Sequence, residues 1–337
     1  MADRPGDDPA DLRYRRSPLL LMQWVADELH IVDADTLRAT IAHPALVAFL
    51  TSVSDWVSHA ELVGRGFDVT EVDLGHLVDL GLLEDSNHDR GGAGRWQPHE
   101  LAVQRRTAVP PVASEPNASP SVPARGGPGV HVLETPPPLD AGLDEVLAAR
   151  RTERTYGAPS LSLAQISALL YFSARTIDVV SLPSGLKVAQ RPFASAGGRS
   201  ELEIYVLSNH VDGLAAGAYH YDPAAHALSL VRRADEWQER ITRSAGVAAG
   251  GTLNRPPPAV LLITAVFERM NSKYGHLGLS LIYKNVGCLL QSLYLVATAL
   301  ALAPCAIGNG EESANSQWLG LDPLVESQVG CFLVGAR

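Results

Sequence analysis

The stretch Arg150-Arg151-Thr152-Glu153-Arg154-Thr155-Tyr156 is the most informative part of this chain. It follows a predicted helix over 143–149 and places three guanidinium groups and a hydroxyl within five residues. Arginine side chains and hydroxyls match the oxygen geometry of a phosphate. A later segment, Ala194-Ser195-Ala196-Gly197-Gly198, contains glycines that let backbone amides approach a planar ring closely. Together the two segments predict a site for a phosphorylated flavin, and with it redox chemistry.

A proline-rich segment divides the chain into two parts. Ten of the 23 prolines fall between Pro98 and Pro138, mixed with alanine, serine and glycine, a composition that cannot bury a core. We therefore predict a linker at 98–138 between a small domain at 12–97 and a larger domain at 139–337. With 337 residues, 46% of them hydrophobic, the chain is long enough for both.

The small domain is predicted to be winged-helix-like. Apolar runs at 19–25 and 28–32 favour strands, and helices are expected at 44–53, 60–63 and 72–83. Ser58 and Glu61 have the spacing of a capping box, which marks the start of the second helix.

The charge of the small domain argues against nucleic acid as its partner. Residues 1–100 contain 8 arginines, no lysine and 18 acidic residues, so this part alone carries the net charge of −10. Phosphate groups would repel it. Two uses remain open: the domain binds a peptide that adds to a sheet edge, or it only packs on its neighbour.

Cysteine usage and hydropathy indicate a cytoplasmic protein. Cys288, Cys305 and Cys331 are far apart in apolar surroundings, without the spacing of a metal site, and we expect reduced core residues and no bound metal. The apolar stretch 286–307 contains polar residues and a proline, so we expect a buried helix running into a strand, not a membrane span. Residues 1–16 lack the apolar core of a signal peptide.

The large domain is predicted to be α+β. Ser162 and Gln165 form a second capping-box pattern before an amphipathic helix that extends to Tyr171. Strands are expected at 202–207, 259–266 and 329–334, and long helices at 235–244 and 277–302. No GxGxxG motif opens a helix after a strand, which argues against a Rossmann dinucleotide-binding unit.

Five segments in order resemble the nitroreductase superfamily, and within it the SagB-type peptide dehydrogenases, which are azoline oxidases. The resemblance covers residues 135–337 and implies an α+β, FMN-dependent dimer with a central, mostly antiparallel sheet flanked by helices and the flavin at the subunit interface. The segments are Arg150–Tyr156, Ala194–Gly198 leading into 201–206, Gly217–Pro223, Lys273-Tyr274-Gly275, and 286–291 continuing to Cys305-Ala306-Ile307-Gly308.

The resemblance implies a set of FMN-binding residues. Arg150, Arg151, Thr152 and Arg154 match the segment that holds the phosphate and ribityl chain. Ser195, Ala196 and Gly197 match the loop along the flavin ring, and the backbone of Ile307 and Gly308 matches a stretch facing the ring from its other side. The sequence departs from the family pattern at Ala194, where proline is usual, and at Thr152, where serine is usual.

The resemblance also implies that Lys273 and Tyr274 are catalytic. In the azoline oxidases, a lysine–tyrosine pair is associated with removal of a proton from the substrate. Aromatising an azoline ring requires this proton transfer together with transfer of a hydride to the flavin. A nearby positive charge stabilises a phenolate base. Neighbouring residues do not share a helix face, so we expect irregular backbone here, which Gly275 would allow. His276 stands where arginine is common.

The sequence therefore predicts an FMN-dependent oxidase that converts thiazoline or oxazoline rings of a ribosomally made precursor peptide to thiazoles or oxazoles. The predicted assembly is a homodimer, whose N-terminal domain would hold the leader region of the peptide or dock a cyclodehydratase. Three alternatives stay open: an oxidase acting on a carrier-bound nonribosomal peptide, a general nicotinamide-dependent nitroreductase, and a peptide-binding scaffold without flavin.

Overall fold

The chain forms two compact units. The computed structural model describes residues 12–87, 96–107, 129–158, 160–183, 187–308 and 310–337. The first unit spans Met1–Pro110 and the second Pro111–Arg337. Residues 108–128 of the predicted linker, and 1–11 at the N-terminus, lie outside the described residues.

Within its described residues, the first unit combines four helices with two three-stranded antiparallel sheets. One sheet has the strand order β5-β1-β6, the other β2-β3-β4. The strands expected at 19–25 and 28–32 are β2 and β3, and the Ser58–Glu61 capping box is present at the start of α2. The elements are β1 (Arg13–Arg16), β2 (Leu20–Val25), β3 (Glu28–Asp33), β4 (Ala39–Ile41), α1 (Pro44–Ser52), β5 (Val57–Ser58), α2 (His59–Gly64), α3 (Glu71–Asp79), β6 (Leu83–Asp85) and α4 (Pro98–Thr107).

Three predicted boundaries differ from those in the structure. The helix expected at 72–83 ends at Asp79, because Gly81 has a φ of +77° and the chain turns there into β6. Residues 98–107 of the predicted linker form α4, since proline is compatible with the first turn of a helix. Leu101 and Ala102 of α4 are buried against Leu19. At its other end, the linker range contains a strand at Val130–Val132.

The second unit is built on a seven-stranded sheet in which every pairing is antiparallel. Its strand order is β16-β17-β15-β11-β13-β14-β7. These strands are β7 (Val130–Val132), β11 (Leu202–Ser208), β13 (Gly217–Asp222), β14 (Ala227–Arg233), β15 (Ala259–Val266), β16 (Leu302–Ile307) and β17 (Glu326–Ala336). Short strands β8 (Leu161–Ser162) and β12 (Val211–Asp212) pair in parallel, and β9 (Asp178–Ser181) and β10 (Lys187–Gln190) form a hairpin. The predicted α+β class is confirmed.

Helices cover both faces of this sheet. Successive strand residues point to opposite faces, so β11 and β15 supply both cores, and all eight residues of β15 are buried. Ile204 and Leu261 pack with α6 and α9 on one face, while Tyr205 and Leu262 pack with α7 and α10 on the other. The helices are α5 (Leu143–Ala149), α6 (Leu163–Ala174), α7 (Glu236–Ala248), α8 (Phe267–Tyr274), α9 (Gly278–Ala299) and α10 (Glu312–Trp318).

Helix α9 runs into strand β16, as the sequence predicts. The segment Phe267–Ala299, which joins α8 to α9 through a short 3₁₀ turn, is long and apolar enough to cross a membrane by length and composition, and 33% of its most apolar window is buried. Its buried side packs on the sheet through Val286, Leu289 and Leu293. The prediction that all three cysteines are core residues is wrong for Cys288, which is exposed because it lies on the side of α9 that faces away from the sheet.

Candidate functional site

The glycine loop, Ser195–Gly198, consists of an extended Ser195 followed by a single 3₁₀ turn over Ala196–Gly198. Gly197 has a φ of +61° and Gly198 a φ of +60°, a left-handed conformation that side chains with a Cβ adopt only with strain. Gly197 is exposed and Gly198 is half-buried. The loop therefore presents bare backbone on one side of the sheet.

Buried polar side chains fix this loop from beneath. The side-chain oxygen of Asn285, on α9, accepts a hydrogen bond of 3.2 Å from the amide of Ala196. The amide group of Asn285 in turn donates to Glu201 at 2.6 Å, and the Ser195 hydroxyl donates to the same carboxylate at 3.2 Å. Because Glu201 and Asn285 are both buried, these bonds hold the loop rigidly on α9.

The structure brings Lys273 and Tyr274 to the glycine loop. A Cβ atom added to Gly197 would lie 2.7 Å from the Lys273 Nζ atom and would collide with the Tyr274 hydroxyl. Both side chains are half-buried, and the Lys273 Nζ atom lies 5.0 Å from the centre of the Tyr274 ring. An ammonium group, a phenol and open backbone thus converge at one point.

The expectation of irregular backbone at this pair is corrected in one respect. Lys273 and Tyr274 are the last two residues of helix α8. Helical geometry ends directly after them, because Gly275 has a φ of +50° and its amide closes the helix on the carbonyl of Asn271. Two adjacent residues can face one site here because the shared site lies at the end of the helix.

Helix α8 rests on buried charged residues that the sequence analysis did not identify. The Arg269 side chain donates to the Glu203 carboxylate at 2.7 Å, and His220 lies 2.9 Å from the other oxygen of that carboxylate. Burial alone would raise the pKa of Glu203, but the hydrogen bonds and positive charge of His220 and Arg269 lower it to about 2. Arg199, 2% exposed, donates to the Arg269 carbonyl and to the Ser272 hydroxyl.

The arginine segment, Arg150–Arg154, lies against the end of strand β16. The Thr152 hydroxyl is hydrogen-bonded to the Tyr294 hydroxyl at 2.8 Å, and this phenol also accepts the Ala306 amide at 2.9 Å. The Glu153 amide donates to the Pro304 carbonyl at 2.8 Å. The predicted flavin-binding residues Ile307 and Gly308 directly follow Ala306 in the chain. They therefore lie near the part of β16 that the arginine segment contacts.

The three guanidinium groups of this segment differ in their surroundings. Arg151 forms an ion pair of 3.1 Å with Glu153, which also pairs with Arg337 at 2.7 Å. Arg150 lies over the Tyr294 ring, and Arg154 is exposed. Arg150 and Arg154 have no ion pair with any residue in the described ranges. Their positive charge is therefore available for an anionic group.

The arginine segment and the glycine loop are attached to opposite sides of α9. Asn285 contacts the loop and Tyr294 contacts the segment, and nine residues correspond to about two and a half helical turns. The two side chains thus leave the helix in opposite directions and roughly 13 Å apart along its axis. One chain does not bring the two halves of the predicted flavin site to the same side of this helix.

No group of three or more histidine, cysteine, aspartate or glutamate side chains in the described part of the chain is placed to hold a metal ion. A cavity of about 870 Å³ lies between α7 and residues 251–257, and it contains none of the predicted site residues. Helix α7 packs on the sheet face opposite α9, so this cavity is separate from the glycine loop.

Comparisons with known proteins agree with the sequence resemblance at the level of the nitroreductase family. Residues 147–336 match the model of the Nitroreductase family. A protein of Methanocaldococcus jannaschii described as a "Putative nitroreductase" is 33% identical over 176 residues, which are 52% of this chain and 83% of that protein. The trifolitoxin-processing protein TfxB of Rhizobium leguminosarum bv. trifolii is 26% identical over 176 residues. That match spans 52% of this chain and about half, 47%, of TfxB.

The fold of the second unit is also found in solved structures. The crystal structure of a "putative nitroreductase" from Ralstonia eutropha superimposes on this chain with a TM-score of 0.50 at 22% sequence identity. The match covers 68% of this chain and 99% of that one. At this level of identity the similarity concerns the fold alone.

Proposed function

Because this chain belongs to the nitroreductase family, we propose that its second unit binds FMN and oxidises azoline rings in a peptide to azoles. The observation that carries the proposal is the contact of Lys273 and Tyr274 with the bare backbone of Gly197. The relative TfxB is named for processing trifolitoxin, which supports a peptide as the substrate.

The residues of the two halves fit the chemistry of FMN. Arg150 and Arg154 have no ion-pair partner within the described ranges, and the Thr152 hydroxyl lies beside them, as a phosphate and ribityl chain require. The glycine loop has no side chain at Gly197 and is held on α9 by Asn285. A planar ring could therefore approach this backbone closely. Bound FMN would supply a two-electron oxidant that accepts a hydride.

The lysine–tyrosine pair would carry the proton transfer. Aromatisation removes one proton and one hydride from the azoline ring, so two electrons leave the ring. We assign the proton to the Tyr274 oxygen, and the Lys273 ammonium, 5.0 Å from the ring of that phenol, would stabilise the phenolate form. Half-burial of both side chains limits the access of water that would compete for the proton.

Two copies of the chain would complete each flavin site. The arginine segment and the glycine loop leave α9 on opposite sides, which disfavours one FMN spanning both within a single chain. Only 33% of the apolar window in Phe267–Ala299 is buried, which leaves an apolar helix face for a second copy to cover. In this homodimer, one copy would contribute the arginine segment and its partner the glycine loop with the lysine–tyrosine pair.

The base assignment is tested with the variants Lys273→Ala and Tyr274→Phe, alone and combined. Neither side chain is in the arginine segment, so the proteins should remain yellow with flavin absorbance unchanged. Oxidation of a synthetic azoline substrate should fall by on the order of a hundredfold or more in the double variant. Normal turnover by the double variant would exclude this pair as the base.

The sharing of the site is tested by mixing two inactive variants. One variant carries Arg150→Ala and Arg154→Ala, the other Lys273→Ala and Tyr274→Phe. If each site takes its two halves from different copies, a mixed dimer has one intact site, and random exchange restores about a quarter of the wild-type activity. If both halves belong to one copy, mixing restores nothing.

The first unit would bind the precursor peptide at the edge of its second sheet. Within the described residues β2 pairs only with β3, so it is an edge strand that can accept a further strand. Its residues Met22 and Trp24 are 56% and 70% exposed, which gives the edge apolar contacts for a peptide. The acidic charge of residues 1–100 favours a neutral or basic segment.

A further inference from the structure

We propose that Arg199 and Arg269 form a reciprocal clamp that positions Lys273 and Tyr274 against the glycine loop. Arg199 is the residue directly after the glycine loop. Arg269 lies on α8 and precedes Lys273 and Tyr274 in the sequence. Each guanidinium binds the segment that carries the other. The inference rests on the proposed function, because it assigns positioning residues to the proposed base.

The first arm of this arginine clamp runs from the loop to the helix. The Arg199 Nε atom donates to the Arg269 carbonyl at 2.8 Å, and its Nη2 atom donates to the Ser272 hydroxyl at 3.0 Å. Ser272 immediately precedes Lys273. Since Arg199 is 2% exposed, water has little access to these bonds. They attach the end of α8 to Arg199, which is only two residues away from Gly197 in the chain.

The second arm runs from the helix back to the loop. The Arg269 Nη1 atom donates to the Ser200 carbonyl and to the Glu203 carboxylate, at 2.7 Å in the latter case. Ser200 has a φ of +51°, so the chain turns back at this residue only at a cost in strain. The bond from Arg269 stabilises that turn, and His220 holds Glu203 in place at 2.9 Å.

A guanidinium is required in the first arm because Arg199 reaches its two acceptors through two different nitrogens, Nε and Nη2. Arginine presents several donors in a rigid fork, whereas lysine has a single ammonium that reaches one point. Arg199→Lys keeps the charge but should release either the Arg269 carbonyl or the Ser272 hydroxyl. The last turn of α8 would then move relative to Gly197 while the rest of the unit remains folded.

The first test needs no flavin. Hydrogen–deuterium exchange of the amides of residues 267–274 is measured in the apoprotein of wild type, Arg199→Lys and a control, Arg175→Lys. The control guanidinium binds a helix carbonyl of α6, that of Tyr171, at 2.8 Å. Exchange in α8 should rise by about threefold or more in Arg199→Lys and stay at the wild-type rate in Arg175→Lys. Equal exchange in all three proteins would overturn the clamp.

The second test asks whether Arg199 acts through the pair. Single-turnover reduction of bound flavin by an azoline substrate should slow by about tenfold or more in Arg199→Lys, with the substrate KM within about twofold of wild type. In a Tyr274→Phe background, Arg199→Lys should cause little further loss. A full second loss would show that Arg199 acts elsewhere. If Tyr274→Phe alone turns over normally, the base assignment fails, while the exchange experiment still decides the clamp.

Discussion

Replacing Gly197 by alanine should separate the lysine–tyrosine pair from the glycine loop. The added Cβ would lie 2.7 Å from the Lys273 Nζ atom and would collide with the Tyr274 hydroxyl. Both obstructing atoms are the terminal atoms of side chains and not backbone, so the side chains can rotate aside without disturbing the backbone. The φ of +61° adds a left-handed strain of about 1–2 kcal/mol for a residue with a Cβ.

The effect of Gly197→Ala on activity should exceed its effect on stability. A strain of about 1–2 kcal/mol lowers the melting temperature of a unit of this size by roughly 2–8 °C. Displacing a proton acceptor by about 1 Å costs on the order of a hundredfold in rate. We therefore expect a folded protein with kcat for azoline oxidation reduced by about a hundredfold.

Gly198→Ala supplies a control with the same backbone strain. Its φ is +60°, but its added Cβ would meet the Val188 side chain at 3.0 Å instead of the lysine–tyrosine pair. Thermal melts and steady-state kinetics of both variants then separate strain from displacement. The reasoning is refuted if Gly197→Ala, folded and loaded with flavin, retains a kcat within about twofold of that of Gly198→Ala.

Three further predictions concern other parts of the molecule. Tyr294→Phe leaves the Ala306 amide without its acceptor, so the unfolding free energy should fall by about 1–3 kcal/mol and flavin titration should show weaker binding. Glu203 has a pKa lowered from 4.5 to about 2, so its stabilisation is complete above pH 4.5 and is lost as the pH falls toward 2. Urea midpoints of wild type should therefore fall more steeply than those of Glu203→Gln over this range. Trp24→Ser should raise the KM for a full-length precursor peptide but not for a short azoline mimic, and equal effects on both would contradict peptide binding at β2.

The sequence predicts elements best where a local rule determines them. The capping boxes at Ser58 and Ser162 fix the starts of α2 and α6, because each hydroxyl accepts the amide three residues later within the same segment. The predicted bounds of strand β15 match the observed ones, since seven of its eight residues are apolar and four of the eight are β-branched. Pro98 does not distinguish a helix from a linker, because proline occurs both at helix starts and in linkers.

The residues around the lysine–tyrosine pair could not be predicted in the same way. Three of these residues lie on separate elements: Glu203 on β11, His220 on the paired strand β13, and Arg269 on α8, which follows β15. Only the folded structure brings them together, so no spacing in the sequence indicates their contact. Asn285 is a polar residue in an apolar helix, which is a usable signal, but its partner Ala196 is 89 residues away. Composition also failed for Cys288, because apolar neighbours do not tell which side of a helix faces the sheet.

Helix α9 is the element that both halves of the proposed flavin site contact. Its sheet-facing side forms core contacts. On two opposite sides of the helix, Asn285 binds the glycine loop and Tyr294 binds the arginine segment. Much of its apolar surface remains exposed. A lone chain would then hold two incomplete half-sites beside an uncovered apolar helix. Covering α9 with a second copy would bury that surface and supply each half-site with its missing half. Flavin binding and dimer formation should therefore be thermodynamically linked, so that added FMN shifts the sedimentation equilibrium toward the dimer.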